Sequence, residues 1–108
     1  MRIGSGLSAN PIPADAVEEA LGRALAALGG AQPELTVLFH SVHHLASIDE
    51  IAKRVGEAVA PGALIGCTAQ AVIGDGHEIE EGPSLSIWVA NLDGAAVEPF
   101  ALVSAPAA

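Results

Sequence analysis

The fold is decided by the stretch Leu35-Thr36-Val37-Leu38-Phe39-His40. This stretch is an almost continuous apolar run that follows Pro33, and such a run is typical of a strand buried on both faces of a sheet. The run ends at His40, where polar residues begin. We therefore place a buried strand at the centre of the protein and extend the assignment outward from it.

A helix and another strand follow this central strand. The connection over residues 41–46 is polar, and Ser47-Ile48-Asp49-Glu50 has the pattern of a capping box that opens a helix. The apolar face of this helix comprises Ile48, Ile51, Ala52, Val55 and Val59. Pro61-Gly62 ends the helix, and residues 63–67 form the next strand. A strand, a helix and a strand in succession predict parallel neighbours joined by a right-handed crossover.

Upstream of the central strand, the sequence predicts one strand and one helix. Residues 1–8 alternate weakly between apolar and polar residues, as in a short strand at the margin of a sheet. From Ala14 onward, apolar residues recur at helical spacing. They are Val17, Ala20, Leu21, Ala24, Leu25 and Leu28. Pro13 suits the first turn of this helix, and Gly29-Gly30 ends it.

The downstream part of the chain favours antiparallel strands. Gly74-Asp75-Gly76 predicts a turn, and residues 84–90 predict a strand that makes the sheet mixed. Residues 91–94 resemble a tight turn, and residues 95–103 predict a hairpin partner with Pro99 at an edge. The expected fold class is α/β, with a mixed sheet of about five strands and two amphipathic helices packed mainly on one face. A chain of 108 residues predicts a single domain, residues 1–108.

Composition excludes several classes of partner. The formal net charge is -9 and aromatic residues make up 3% of the chain, so DNA, RNA and anionic membranes are poor partners. The single cysteine excludes an internal disulfide framework and fits a reducing compartment. The opening residues lack the pattern of a signal peptide, and no apolar run approaches the length of a membrane span. We therefore expect a soluble, cytoplasmic protein.

The predicted ligand site comprises His40, Ser41, Cys67 and Thr68. These residues follow two predicted parallel strands, and ligands of α/β sheets bind at the carboxyl ends of such strands. The thiol of Cys67 has two other interpretations. It is a nucleophile if His40 or His43 acts as its base, or a small residue that only packs in the interior.

Two clusters of potential metal ligands have competing interpretations. His40, His43 and His44 are candidates for a metal or haem site, but their spacing matches no established zinc pattern. The alternative is that they are polar loop histidines, with His40 at a strand end. The acidic stretch contains Asp75, His77, Glu78, Glu80 and Glu81. It lacks the calcium-loop pattern and favours a solvated loop over a cation site.

Four segments resemble the N-terminal FIST domain, a bacterial sensor module of signal transduction. They are residues 33–41, residues 64–74 with the Gly66-Cys67-Thr68 turn, residues 78–82, and residues 85–90. The resemblance implies a sensor that binds small ligands and passes the signal to partners, without catalysis. Amino acids have been proposed as ligands of this family. Some relatives are nitric-oxide-sensing haemoproteins, but no haem-ligand motif of the family matches here, so we expect no cofactor.

The length of the chain departs from this family, whose members continue beyond the corresponding segment. The resemblance therefore implies either a fragment, the first segment of a longer family domain, or a short stand-alone member. A sheet that longer relatives cover with later residues is expected to leave an apolar face and a strand edge open here. We therefore expect a homo-oligomer, most simply a dimer. The alternative functions are a haem- or metal-binding sensor that uses the loop histidines, and a purely structural assembly module.

Overall fold

The computed structural model describes residues 1–68, 72–74, 77–79 and 82–100, and it places the main strands in one mixed sheet. The strands are β1 (Arg2–Ser8), β2 (Leu35–His40), β3 (Ala63–Thr68), β4 (Val72–Gly74), β5 (His77–Ile79) and β6 (Leu85–Asn91). The helices are α1 (Pro13–Ala26) and α2 (Ile48–Val59), with a 3₁₀ helix (Val42–Ser47) before α2. The class is α/β, as the sequence predicted.

The main sheet has four strands in the order β1-β6-β2-β3. Strands β2 and β3 are parallel, and their register places His40 opposite Thr68. Strand β6 runs antiparallel to both β1 and β2 and separates them. The expectation of about five strands differs from this sheet, because the expected fifth strand, residues 95–103, has no regular structure at residues 95–100. Strands β4 and β5 pair with each other as a separate antiparallel hairpin.

Both helices bury their apolar residues on one face of the sheet. Strand residues of that face alternate with residues of the other face, since successive side chains of a strand point in opposite directions. The core cluster comprises Ala16, Val17, Ala20, Leu21, Ala24, Leu28, Leu38, Ile51, Val55, Val59, Leu85, Ile87 and Val89. The apolar periodicity of both helices therefore predicted the inward-facing positions well.

Two glycines of β1 allow α1 to lie directly on the sheet. A Cβ atom at Gly4 would overlap the carbonyl oxygen of Ala24, and one at Gly6 would overlap that of Ala20. The helix presents buried alanines to this strand. A core with few large side chains is thus closed by bringing two backbones close together.

The opposite face of the sheet is open in part, which corrects the prediction that β2 is buried on both faces. Leu7 and Ser86 on this face are buried, at the end of the sheet where β4 contacts β1 and β6. In β2, Leu38 is buried, whereas Val37 and Phe39 are only half-buried. On neighbouring strands the exposed fraction is 50% for Ile65 and 39% for Trp88. We call this surface the open face and define it by Ile3, Val37, Phe39, Ile65 and Trp88. The run of residues 35–40 is apolar on both sides although the helices cover only one.

The expected strand over residues 95–103 is not formed where the structure describes it. Residues 95–100 have no regular secondary structure, and residues 101–103 lie outside the described part of the chain. The turn that precedes them is present, with Asp93 and Gly94 at φ angles of 56° and 85°. Of the turn predicted at Gly74-Asp75-Gly76, residues 75 and 76 lie outside the described residues, between the paired strands β4 and β5.

The start of α2 also differs from the expectation. The connection over residues 41–46, which the sequence described only as polar, lies mostly in the 3₁₀ helix, and this helix leads directly into α2. Ser47 makes no side-chain capping hydrogen bond, so the capping-box pattern does not form its usual contact here. Among the described helices, none has the length and apolar character needed to cross a membrane.

Candidate functional site

A pocket of about 400 Å³ lies where β2 and β3 end, beneath the 3₁₀ helix and the start of α2. It lies at the edge of the sheet where the sequence predicted a ligand site. The lining residues are Leu38, His40, Leu45, Ile48, Ala52, Leu64, Gly66, Cys67 and Thr68. Three of the four predicted site residues, His40, Cys67 and Thr68, are therefore brought together around one cavity.

His40 and Thr68 form the polar end of this pocket. The His40 side chain is buried, its Nδ1 lies 2.9 Å from the carbonyl oxygen of Ser41, and its Nε2 lies 3.2 Å from the Thr68 Oγ1. A carbonyl oxygen only accepts, so we assign the proton of the neutral ring to Nδ1. Nε2 then accepts the hydroxyl hydrogen of Thr68. The pair is held in one orientation by the register of β2 and β3.

The walls of the pocket are apolar, and the site prediction did not include them. Leu45, Ile48 and Ala52 recur at spacings of three and four residues, so they share one side of the two consecutive helices. Leu64 lies on the same face of β3 as Thr68. Helical spacing and strand alternation, applied together, would have found these residues.

Gly66 keeps β3 close to β2 at the floor of the pocket. A Cβ atom there would lie 3.2 Å from the carbonyl oxygen and 3.3 Å from the Cβ of Leu38. Both distances are tighter than ordinary van der Waals contact. A larger residue would displace Leu38 or fill part of the cavity.

Ser41, the fourth predicted site residue, does not line the pocket. Its side chain is buried, and its Oγ accepts a hydrogen bond of 3.0 Å from the backbone N–H of Ser84. The backbone N–H of Ser41 donates to the carbonyl oxygen of Ser84 at 3.0 Å. The Oγ also lies 3.2 Å from the Nδ1 of His43. Ser41 thus ties the end of β2 to the residues before β6.

Cys67 lines the pocket, but its thiol does not face His40. Thr68 directs its hydroxyl to His40, so the preceding residue of the strand points to the opposite face. Cys67 is exposed and lies beside Phe39 in the register of the sheet. The nucleophile and base considered for these two residues are therefore not paired in this structure.

His44 is buried in the interior rather than solvated in a loop. Its exposed fraction is 1%, and neither ring nitrogen has a hydrogen-bond partner. Burial lowers the pKa of His44 below its ordinary value, and the nearby His40 and His43 lower this pKa further. The backbone of Asn10 is close enough to the ring to raise this pKa slightly, although it does not meet the geometry of a hydrogen bond. The interpretation as polar loop histidines thus fails for His44, whereas His43 is exposed.

The three histidines do not converge on a common metal position. Within the described residues, no group of three or more histidine, cysteine, aspartate or glutamate side chains is arranged to hold a metal ion. Both nitrogens of His40 are already engaged, and His44 is enclosed, so neither presents a free nitrogen to a haem in the pocket. Of the acidic stretch, Asp75, Glu80, Glu81 and the side chains of His77 and Glu78 lie outside the described part.

Relatives of the chain are found among mycobacterial proteins, whereas no family model matches it. It is 39% identical over 102 residues to an uncharacterized protein of Mycobacterium bovis, covering 94% of this chain and 26% of that protein. It is 38% identical over 91 residues to an uncharacterized protein of Mycobacterium tuberculosis strain H37Rv, covering 84% and 24%. The chain therefore spans about a quarter of the length of the curated relatives it matches.

Proposed function

We propose that this protein is a small-ligand-binding sensory module without catalytic activity, as its resemblance to the FIST N-terminal domain implies. The observation that carries this proposal is the pocket at the ends of β2 and β3. Its volume of about 400 Å³ falls within the range of about 300 to 1,000 Å³ usual for small-molecule sites. Mostly apolar walls with one oriented polar pair are also typical of such sites.

The position of the pocket supports a signalling role. It is bounded by two strand ends and by the 3₁₀ helix that leads into α2, so a ligand there contacts several elements at once. Occupancy of the pocket can bias how these elements pack, because a ligand favours the arrangement that it contacts best. The separation of the Cys67 thiol from His40 supports a role in binding rather than catalysis.

The test is native mass spectrometry of the purified protein, with an absorbance spectrum of the same sample. A retained small mass supports the proposal when it is lost from Ala52→Phe, which places a ring in the pocket. Ala58→Phe is the matched control, since Ala58 is exposed on the same helix and does not line this pocket. A mass that survives Ala52→Phe in a folded protein would contradict the assignment of the ligand to this pocket.

The same experiment separates the two alternatives. A coloured or metal-loaded sample that loses its colour or metal on substitution of His40, His43 or His44 would favour a haem- or metal-binding sensor. A protein that retains nothing and binds no small molecule would favour a purely structural assembly module.

We also propose that two copies associate through the open face and that the protein acts in the cytoplasm. Exposed Ile65 and Trp88 support association, because contiguous apolar surface of this kind marks interaction sites. A single unpaired cysteine fits a reducing compartment.

A further inference from the structure

We propose that the pocket at the ends of β2 and β3 selects an uncharged, mostly apolar ligand that donates a hydrogen bond, such as an aliphatic alcohol. This inference rests on the proposed function, since it assigns a chemical class to the ligand of the same pocket. It departs from the amino acids that the resemblance implies.

The lining residues disfavour a charged ligand. None of the side chains around the pocket is an aspartate, glutamate, lysine or arginine. A zwitterionic amino acid would lose part of the hydration of its ammonium and carboxylate groups without meeting an opposite charge, which is costly. The apolar walls instead favour the burial of an aliphatic chain.

The direction of the hydrogen bonds at the polar end selects for a donor. The His40 Nδ1–H is used by the carbonyl oxygen of Ser41, and the Thr68 hydroxyl hydrogen is used by His40 Nε2. The Thr68 Oγ1 keeps its lone pairs but has no second hydrogen to donate. The His40–Thr68 pair therefore offers the Thr68 Oγ1 as an acceptor to a ligand. A ligand that has only acceptor atoms would place its lone pairs against those of Oγ1.

Strand pairing holds this arrangement in place before any ligand arrives. His40 is 3% exposed and is oriented at both nitrogens, so its ring does not turn freely to exchange donor and acceptor. Thr68 itself is exposed, so water can also reach its Oγ1, and the preference for a donating ligand is expected to be that of one net hydrogen bond.

The experiment compares 2-hexanol, 2-hexanone and norleucine as probes in two-dimensional NMR titrations of the full chain. The alcohol and the ketone share one carbon skeleton and no charge, but only the alcohol donates. We expect the alcohol to bind about fivefold more tightly than the ketone, the effect of one net hydrogen bond. We expect norleucine to bind more weakly than either.

Thr68→Val combined with His40→Phe provides the decisive variant, because Thr68→Val alone would free the His40 Nε2 as a new acceptor, whereas the double variant removes both acceptors. It should bring the affinities for alcohol and ketone together. Thr36→Val is the matched control. Thr36 lies on the same face of β2 as His40, but it does not line the pocket. This control should keep the fivefold preference.

The outcomes distinguish the ligand class from the pocket itself. If the ketone or norleucine binds as tightly as the alcohol at pocket residues, the ligand class is overturned and the proposed function stands. If none of the probes shifts the resonances of pocket residues, both the ligand class and the proposed site are overturned.

Discussion

His44 is the side chain whose environment departs most from what its chemistry favours. An imidazole with two polar nitrogens lies in the interior without a hydrogen bond, next to two further histidines. Its neutral form is the one that the folded protein tolerates, since burial penalises the charged form. The consequence is a dependence of stability on pH.

We expect the free energy of unfolding to fall as the pH is lowered through about 6.5, the ordinary pKa of histidine. The folded-state pKa of His44 is lowered, so in this range the unfolded chain binds more protons than the folded one. Stability therefore decreases with acid between the ordinary and the lowered pKa, and it is independent of this group at higher pH. Urea unfolding at a series of pH values between 5 and 8 measures this slope.

His44→Leu is the variant that assigns this slope to one residue. It removes the titrating group and leaves no buried polar atom in its place, so we expect a flatter profile below pH 6.5. At pH 8 the variant should be at least as stable as the original protein, because leucine has no unsatisfied nitrogen. An unchanged slope in a folded variant would show that the acid sensitivity arises elsewhere.

At the level of secondary-structure elements, the closest contact joins α1 to β1. Gly6→Ala should destabilise the protein by about 1 to 3 kcal/mol or more, because its Cβ would overlap the backbone of Ala20 and push the helix away. Gly22→Ala is the matched control. Gly22 lies within α1 with nothing near its added Cβ, so this change should stabilise the helix by up to about 1 kcal/mol. Thermal unfolding of both variants checks the prediction. Equal destabilisation by Gly6→Ala and Gly22→Ala would contradict it.

A second contact between elements is made by Glu34, which precedes β2 and holds the turn after β6. Its carboxylate accepts hydrogen bonds from the backbone N–H of Leu92 at 3.1 Å and of Gly94 at 2.7 Å. It also accepts one from the side-chain amide of Asn91 at 3.2 Å. The turn at residues 91–94 is thus held by the carboxylate of Glu34. The sequence had predicted that a hairpin strand would follow this turn.

Glu34→Ala should lower the free energy of unfolding by about 2 kcal/mol, since hydrogen bonds to charged groups contribute about 1.5 to 3 kcal/mol each and part is regained from water. Glu34→Gln should have an intermediate effect, because its amide oxygen still accepts from the backbone. Glu57→Ala on the exposed side of α2 is the control, and chemical denaturation is the measurement. A loss in the control as large as in Glu34→Ala would refute the structural role.

Local sequence patterns predicted the helices and strands better than they predicted how these elements pack against one another. The spacing of Val17, Leu21 and Ala24 is a property of one helix, and it predicted the buried face of α1. The uncovered side of β2 depends on residues distant in sequence, so the run from Leu35 to His40 did not reveal it. The site was predicted from the ends of parallel strands, whereas its walls required the relative placement of α2 and β3.

At the scale of the whole molecule, the open face is smaller than the interface of a stable dimer. The whole face, four strands about 4.8 Å apart and about six residues long, is about 400 Å² in projection, and the part around buried Leu7 and Ser86 is not available. Two such faces would therefore bury less than about 800 Å², before the relief of the side chains is added. This area is below the 1,200 to 2,000 Å² that stable interfaces bury. We therefore expect a dimer that dissociates at low protein concentration.

The net charge adds a second, testable property to this association. Each copy carries a formal charge of -9, so two copies repel one another at low ionic strength. Added salt screens this repulsion and also favours apolar burial. Sedimentation velocity should show a larger dimer fraction in 0.5 M than in 0.05 M sodium chloride. Dimerisation that weakens with salt would instead indicate an interface built on ion pairs.

Trp88 reports whether the open face is the surface involved, because it is the chain's one tryptophan and is 39% exposed there. We expect its fluorescence emission to shift to shorter wavelength as the protein is concentrated, in step with the dimer fraction. Ile65→Lys should abolish both changes, since it places a charge on the edge strand β3, on the same face as Trp88, without entering the helix-covered core. Ala58→Lys on the exposed side of α2 should leave both unchanged. A chain that remains a 10.8 kDa monomer at high concentration and high salt, or a dimer whose Trp88 emission does not move, would contradict association through this face.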